Sequence, residues 1–150
     1  MDISLEFISA ILTPAVMINV CALLLISTTN RNSRIRDRIR SLNNTLIQDK
    51  INIDESVIDN YRKQLNYFKQ RGKLVKKAMT FNYLAFFSFV LTTIFLFFEQ
   101  YLNFLIIFSV VSLLLGLVFL FSYAVVLIKE SRINFETTEL DIKLAEKMLK

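Results

Sequence analysis

The sequence predicts an all-α integral membrane protein with three transmembrane helices, two of them extended into a cytoplasmic antiparallel helical bundle. Three observations predict it. The 150 residues are 54% hydrophobic with 14 Phe but only 2 Gly and 1 Pro. An ordinary globular chain carries about 7% Gly and 5% Pro, largely because its turns need them, so turns here must be few and helices long. Three uncharged, mostly apolar stretches, 7–30, 78–98 and 101–128, each reach the roughly 20 residues that a span requires. Finally, the positive charges are segregated: residues 31–77 hold 13 Lys and Arg and residues 129–150 hold the other 5.

That segregation sets the orientation. Residues 1–6 and the turn at Glu99–Gln100 carry no Lys or Arg, only Asp2, Glu6 and Glu99. Basic loops stay inside, so the N-terminus is expected outside, with the 31–77 segment and the C-terminus in the cytoplasm. A cleaved signal peptide is not expected from the first stretch, because it lacks the basic start and small-residue cleavage site of one. The whole is read as a single domain over 1–150: first span, basic hairpin, second span, third span and C-terminal helix.

The first span is the least apolar, containing Thr13, Pro14, Asn19, Ser27, Thr28 and Thr29. Thr13 suits a helix cap with Pro14 at the first helical position, which would make residues 3–12 either a separate interfacial helix or, as preferred here, a kinked first turn. Past Asn30 nothing breaks the helix before Gln48, and Ile35, Ile39, Leu42 and Leu46 recur as an apolar stripe. Asn, Asp and Ser cluster at 49–55 and predict a turn, after which Asp54 or Ser56 caps a second helix. Ile58, Tyr61, Leu65, Phe68, Val75 and Met79 form its stripe, with Gly72 in the same row, where a neighbour could approach closely. Two such stripes joined by a short turn predict a hairpin.

Past Ile128 the third span runs on into the tail, where residues 129–150 hold no Gly or Pro. There Ile133, Leu140, Leu144 and Met148 form one stripe, and Phe135, Ile142, Ala145 and Leu149 another on nearly the opposite side. One stripe closes a cytoplasmic three-helix bundle. The other is expected to meet a second copy of the protein; the alternative is that it lies on the bilayer surface or packs under the loop.

Within the spans, small and hydroxylated residues usually serve helix packing. Ala15, Asn19 and Ala22 of the first, Ser88 and Thr92 of the second, and Ser109, Ser112 and Gly116 of the third are expected to face one another on that basis. A sharper reading places Thr13, Asn19, Ser27 and Thr28 along a pore or an oligomer axis, since pores use hydroxyls and carbonyls. No ionisable residue lies inside an uncharged stretch, however, and such residues commonly mark ion pathways. Beside the membrane, Arg31, Arg34 and Arg38, with Arg36 and Arg40, combine with Lys73, Lys76 and Lys77. This cluster either binds anionic lipid or simply sets topology, and Asp37 lies within reach of Arg34 or Arg40.

Chemistry is not expected. Histidine is absent and Cys21 is the only cysteine, so the commonest general base and metal ligand is missing. The acidic residues read as scattered over solvated helix faces beside Lys and Arg. No catalytic residue, metal ligand or cofactor is proposed. The pI near 9.4 is what positive-inside topology requires and comes without a base-stacking platform, so nucleic acid is not an expected partner. Membrane lipids, further copies of the chain and a cytoplasmic protein are.

Residues 10–18, Ala-Ile-Leu-Thr-Pro-Ala-Val-Met-Ile, then Thr29-Asn30-Arg31, Arg34-Ile35 and Asp37-Arg38-Ile39-Arg40 resemble an uncharacterised bacterial family of small membrane proteins known as domain of unknown function 2721. The basic run Arg71–Lys77 and two closely spaced later spans fit the same pattern. The resemblance implies a bacterial inner-membrane setting and no known activity. The expectation is a homo-oligomeric scaffold or accessory protein acting through its cytoplasmic helical bundle; the alternative is an oligomeric ion- or water-conducting pore lined by the first span.

Overall fold

The computed structural model describes residues 5–48, 55–99, 101–102 and 104–148, and side chains within 9–44, 47, 62–99, 101–102 and 104–135. These residues form three helices: α1 (Leu5–Gln48), α2 (Glu55–Glu99) and α3 (Leu105–Met148). Each has 44 or 45 residues, about 66 Å at 1.5 Å per residue, roughly twice the hydrocarbon thickness of a bilayer. All three are long and apolar enough to cross a membrane. No helix stops where its apolar stretch meets the basic segments, because nothing at those positions interrupts propagation of the backbone ladder.

Pro14 lies inside continuous α1 and is fully buried, so residues 5–12 belong to α1 and are not a separate helix. The tight turn expected at 99–100 is longer. The backbone N–H of Tyr101 bonds to the Phe98 carbonyl at 3.0 Å and that of Leu105 to the Leu102 carbonyl at 3.0 Å, so α3 begins at Leu105 rather than Tyr101. Connections between neighbouring helices commonly need 2–8 residues, and here apolar Tyr101, Leu102 and Phe104 supply part of one. The turn expected at 49–54, including Asp54 as a cap, lies outside the described residues. So do the tail side chains from Glu136 onward, and with them most of both tail stripes.

Two compact units divide the chain. The first comprises Met1–Thr28 and Ala78–Ala124. Its core is Cys21, Ala85 and Phe89, with Met17, Ile18, Leu113, Phe119 and Leu120 packed around them. Gly116 makes this packing possible: a Cβ there would fall 2.7 Å from Cε1 of the buried Phe89 ring. The ring lies against bare backbone, as small residues at helix contacts allow in membranes. The most apolar window of α2 is 28% buried, against 11% for α1 and 17% for α3, so α2 is the most covered of the three.

The second unit comprises Thr29–Lys77 and Val125–Lys150. Ile35, Phe68, Val75 and Val126 are buried in it, and Ile39, Leu42 and Leu65 are half-buried. Gly72 does meet Ile35, but a Cβ there would lie 3.9 Å from Ile35 Cγ2, ordinary contact that an alanine could make as well.

Candidate functional site

The second unit is organised around one acid. Glu130 of α3 is completely buried. Its Oε2 accepts from Arg31 Nη1 of α1 at 2.7 Å, and its Oε1 from Arg71 Nε of α2 at 2.9 Å. Arg71 Nη2 also approaches Oε1 at 2.9 Å. A buried carboxylate alone would be strongly disfavoured; two guanidinium partners, one on each oxygen, offset that cost and tie three helices to one point. This corrects the sequence reading, which placed the acids on solvated faces. Glu130 stands two residues after the third apolar stretch, where the flanks are otherwise basic, and that was the available signal.

Arg31 and Arg71 spend only part of their donors on Glu130. A guanidinium carries five N–H groups, and both residues line a cavity of about 370 Å³ together with Arg34, Ile35, Arg38, Phe68, Ser131 and Asn134. The α1 contribution follows from helical spacing: 31, 34, 35 and 38 are separated as i, i+3, i+4 and i+7, which places them on one face. Arg36 and Arg40 fall elsewhere, and Arg36 donates to Ser33 within α1 at 3.2 Å. The Arg71 guanidinium also sits 5.7 Å from the centre of the Phe68 ring, a cation–π distance that further holds it in place. Four arginines thus border one cavity, with Glu130 as the anion bonded to two of them. Among the described residues no carboxylate pairs with Arg34 or Arg38, both exposed.

The other basic residues singled out from the sequence, Lys73, Lys76 and Lys77, are exposed and do not line this cavity. Of the proposed axis residues, Thr13, Asn19 and Ser27 are exposed, whereas Thr28 is buried. Thr28 Oγ1 donates to the Leu24 carbonyl at 2.7 Å and lies 2.7 Å from the Tyr123 hydroxyl. Either hydroxyl can be the donor of that bond, because the Tyr123 hydroxyl also reaches the Leu24 carbonyl, at 3.4 Å. Ser109, Ser112 and Gly116 are buried, Ala15 is half-buried and Ala22 is exposed.

The small and polar residues therefore meet only in part. Ser112 Oγ donates to the Ser88 carbonyl at 2.7 Å, and that carbonyl also accepts from Thr92 Oγ1 at 2.9 Å. Ser109 donates within its own helix to Ile106 O. Asn19 joins neither serine. The buried amide of this unit is Asn82, whose Nδ2 donates to the Cys21 carbonyl at 2.8 Å, while its Oδ1 meets no donor among the described residues. The sequence reading passed over Asn82 and Tyr123, although Asn82 is the sole amide in 78–98. Among the described residues no three His, Cys, Asp or Glu side chains lie close enough together to hold a metal ion.

Three long helices able to cross a membrane, with a charged helical unit built from their less apolar parts, define the class to which this chain belongs. The family described as Protein of unknown function (DUF2721) matches residues 11–140, and the chain belongs to it. No curated protein and no solved structure matches it.

Proposed function

We propose that this is a multi-pass protein of the bacterial inner membrane, N-terminus outside and C-terminus cytoplasmic, that works as a homo-oligomeric scaffold or accessory protein and not as an enzyme. The orientation is supported by the confinement of all 18 Lys and Arg to residues 31–77 and 129–150. The observation that carries the oligomer is the surface of α1. Its apolar window is the least covered of the three, yet it exposes Asn19, Thr13 and Ser27 beside Leu12, Leu23 and Ile26, each more than 60% exposed. An amide facing hydrocarbon without a partner is costly. A second copy, bringing the same face to a shared axis, covers the apolar side chains and gives Asn19 a donor and an acceptor.

Substitution Asn19→Cys in a Cys21→Ala background tests this directly. Disulfide-linked dimers should form in native membranes, since symmetry mates at an axis come within disulfide reach. The native Cys21, 1% exposed in the core, should give none. Monomers alone, by cross-linking and by native mass spectrometry, would refute the oligomer. The exposure of Thr13, Asn19 and Ser27 on one helix also favours a second reading, an oligomeric ion- or water-conducting pore. In that reading the dimerising protein would carry flux across liposomes, and Asn19→Leu would abolish it; a scaffold leaves the liposomes tight.

A further inference from the structure

We infer that the arginine-lined cavity of the second unit binds an anionic phosphate group, carried either by a lipid head group or by a soluble phosphate ester. The inference does not depend on the oligomer.

The argument begins with charge. Arg31, Arg34, Arg38 and Arg71 bring four positive charges to one concavity, and Glu130 offsets one of them. Like charges gathered in a recess repel unless an anion joins them. A structural ion network would have used more acids; here the described residues provide a single buried one, and it is placed behind the arginines. From that position Glu130 fixes the side chains of Arg31 and Arg71 by one oxygen each, so both are held at the cavity lining with N–H groups to spare. Guanidinium forks match phosphate oxygens in geometry as well as in charge. Ser131 and Asn134 add a hydroxyl and an amide to the lining, neutral groups suited to phosphate or ester oxygens. Phe68 and Ile35 provide an apolar wall. The volume, about 370 Å³, falls in the range of small-molecule sites and far exceeds the roughly 30 Å³ share of a water.

Chain position is consistent with a head-group source. Arg31 directly follows the first uncharged stretch, Glu130 follows the third by two residues, and Arg71 precedes the second by seven. Seven helical residues span about 10 Å, slightly more than the roughly 5–8 Å polar layer of a bilayer leaflet, which a long arginine side chain can bridge. A soluble phosphate ester would use the same donors.

The test uses the full-length protein. In neutral detergent it is titrated with inorganic phosphate against chloride at matched ionic strength, followed by phosphorus NMR. In a second arm it is placed in phosphatidylcholine nanodiscs with or without phosphatidic acid, and retained lipid is counted by native mass spectrometry. Arg34→Gln combined with Arg38→Gln removes two exposed arginines that hold no other described group. We expect binding to weaken about tenfold for each arginine lost. Lys73→Gln with Lys129→Gln removes equal charge from the same unit outside the cavity and should bind as the parent does. Retention of phosphatidic acid without phosphate binding identifies a lipid head group; binding of free phosphate that depends on Arg34 and Arg38 identifies a soluble ligand. Absence of both, or equal loss in the lysine variant, overturns the inference, since general surface charge would then account for whatever binding is seen.

Discussion

The two units of this chain are held together by different chemistry. In the first, separate helices are joined by uncharged hydrogen bonds: Tyr123 with Thr28 and the Leu24 carbonyl, Asn82 to the Cys21 carbonyl, and Ser112 to the Ser88 carbonyl. Close packing of Phe89 on Gly116 does the rest. In the second, helices converge on a carboxylate and two guanidinium groups, and its glycine has room to spare. The difference follows from solvent. Segments apolar enough to sit in lipid have no hydrophobic driving force between them, so they rely on fit and on short neutral hydrogen bonds. Segments bearing 18 Lys and Arg can place a charge inside only by pairing it.

The sharpest way to break this comparison is at Glu130. Replacement by Ala leaves Arg31 and Arg71 without their shared counter-charge and should cost about 3 kcal/mol, lowering Tm in detergent by several degrees. Hydrogen exchange should rise in 29–77 and 125–135 while residues 78–124 stay protected. Equal loss of protection in both units would show that they are not separately stabilised. Glu130→Gln, which keeps the shape and some hydrogen bonding, should fall between Ala and the parent.

Next come the two glycines, which should respond with opposite signs. Gly116→Ala forces a methyl into the Phe89 ring and should destabilise by about 1–3 kcal/mol, and Phe89→Leu in the same chain should recover part of it. Gly72→Ala meets Ile35 at an ordinary distance and should stabilise by up to about 1 kcal/mol, because alanine is the better helix former. Thermal unfolding of the two variants side by side decides the matter; a loss at Gly72 would mean that the second unit is packed as tightly there as the first.

The smallest effect is expected at Tyr123. Tyr123→Phe removes the short neutral bond to Thr28 and the long one to the Leu24 carbonyl, which Thr28 still bonds, so the loss should be near 0.6 kcal/mol, typical of such bonds in membranes. A loss comparable to that of Glu130→Ala would remove the distinction between the two units.

Much of the architecture was legible because it is written locally. The three apolar stretches and the unbroken runs that continue them past residues 30 and 128 lead to long helices, two of them expected to run on past their apolar stretches; all three do, with Gly72 inside α2. The arginine face of α1 was legible in the same way, from the spacing of residues 31, 34 and 38. Asn19 was expected to meet Ser109 or Ser112 if it served packing, and it is exposed instead; periodicity defines a face but not its neighbour. Glu130 was misread for the same reason. Its partners lie 99 and 59 residues away along the chain, and beside Lys129 it resembles any surface acid.

The amino-acid sequence by itself determined the helices, the membrane-compatible stretches and the family, because each depends on composition and spacing within one segment. Only the tertiary structure decided that Thr28 turns inward while Asn19 stays on the surface, that Gly116 is filled by a ring and Gly72 is not, and that four arginines border one cavity with a buried acid behind them. These outcomes depend on which helix faces meet. A helix pattern repeats every 3.6 residues with no reference to any other helix, so that pairing exists only once the segments have packed.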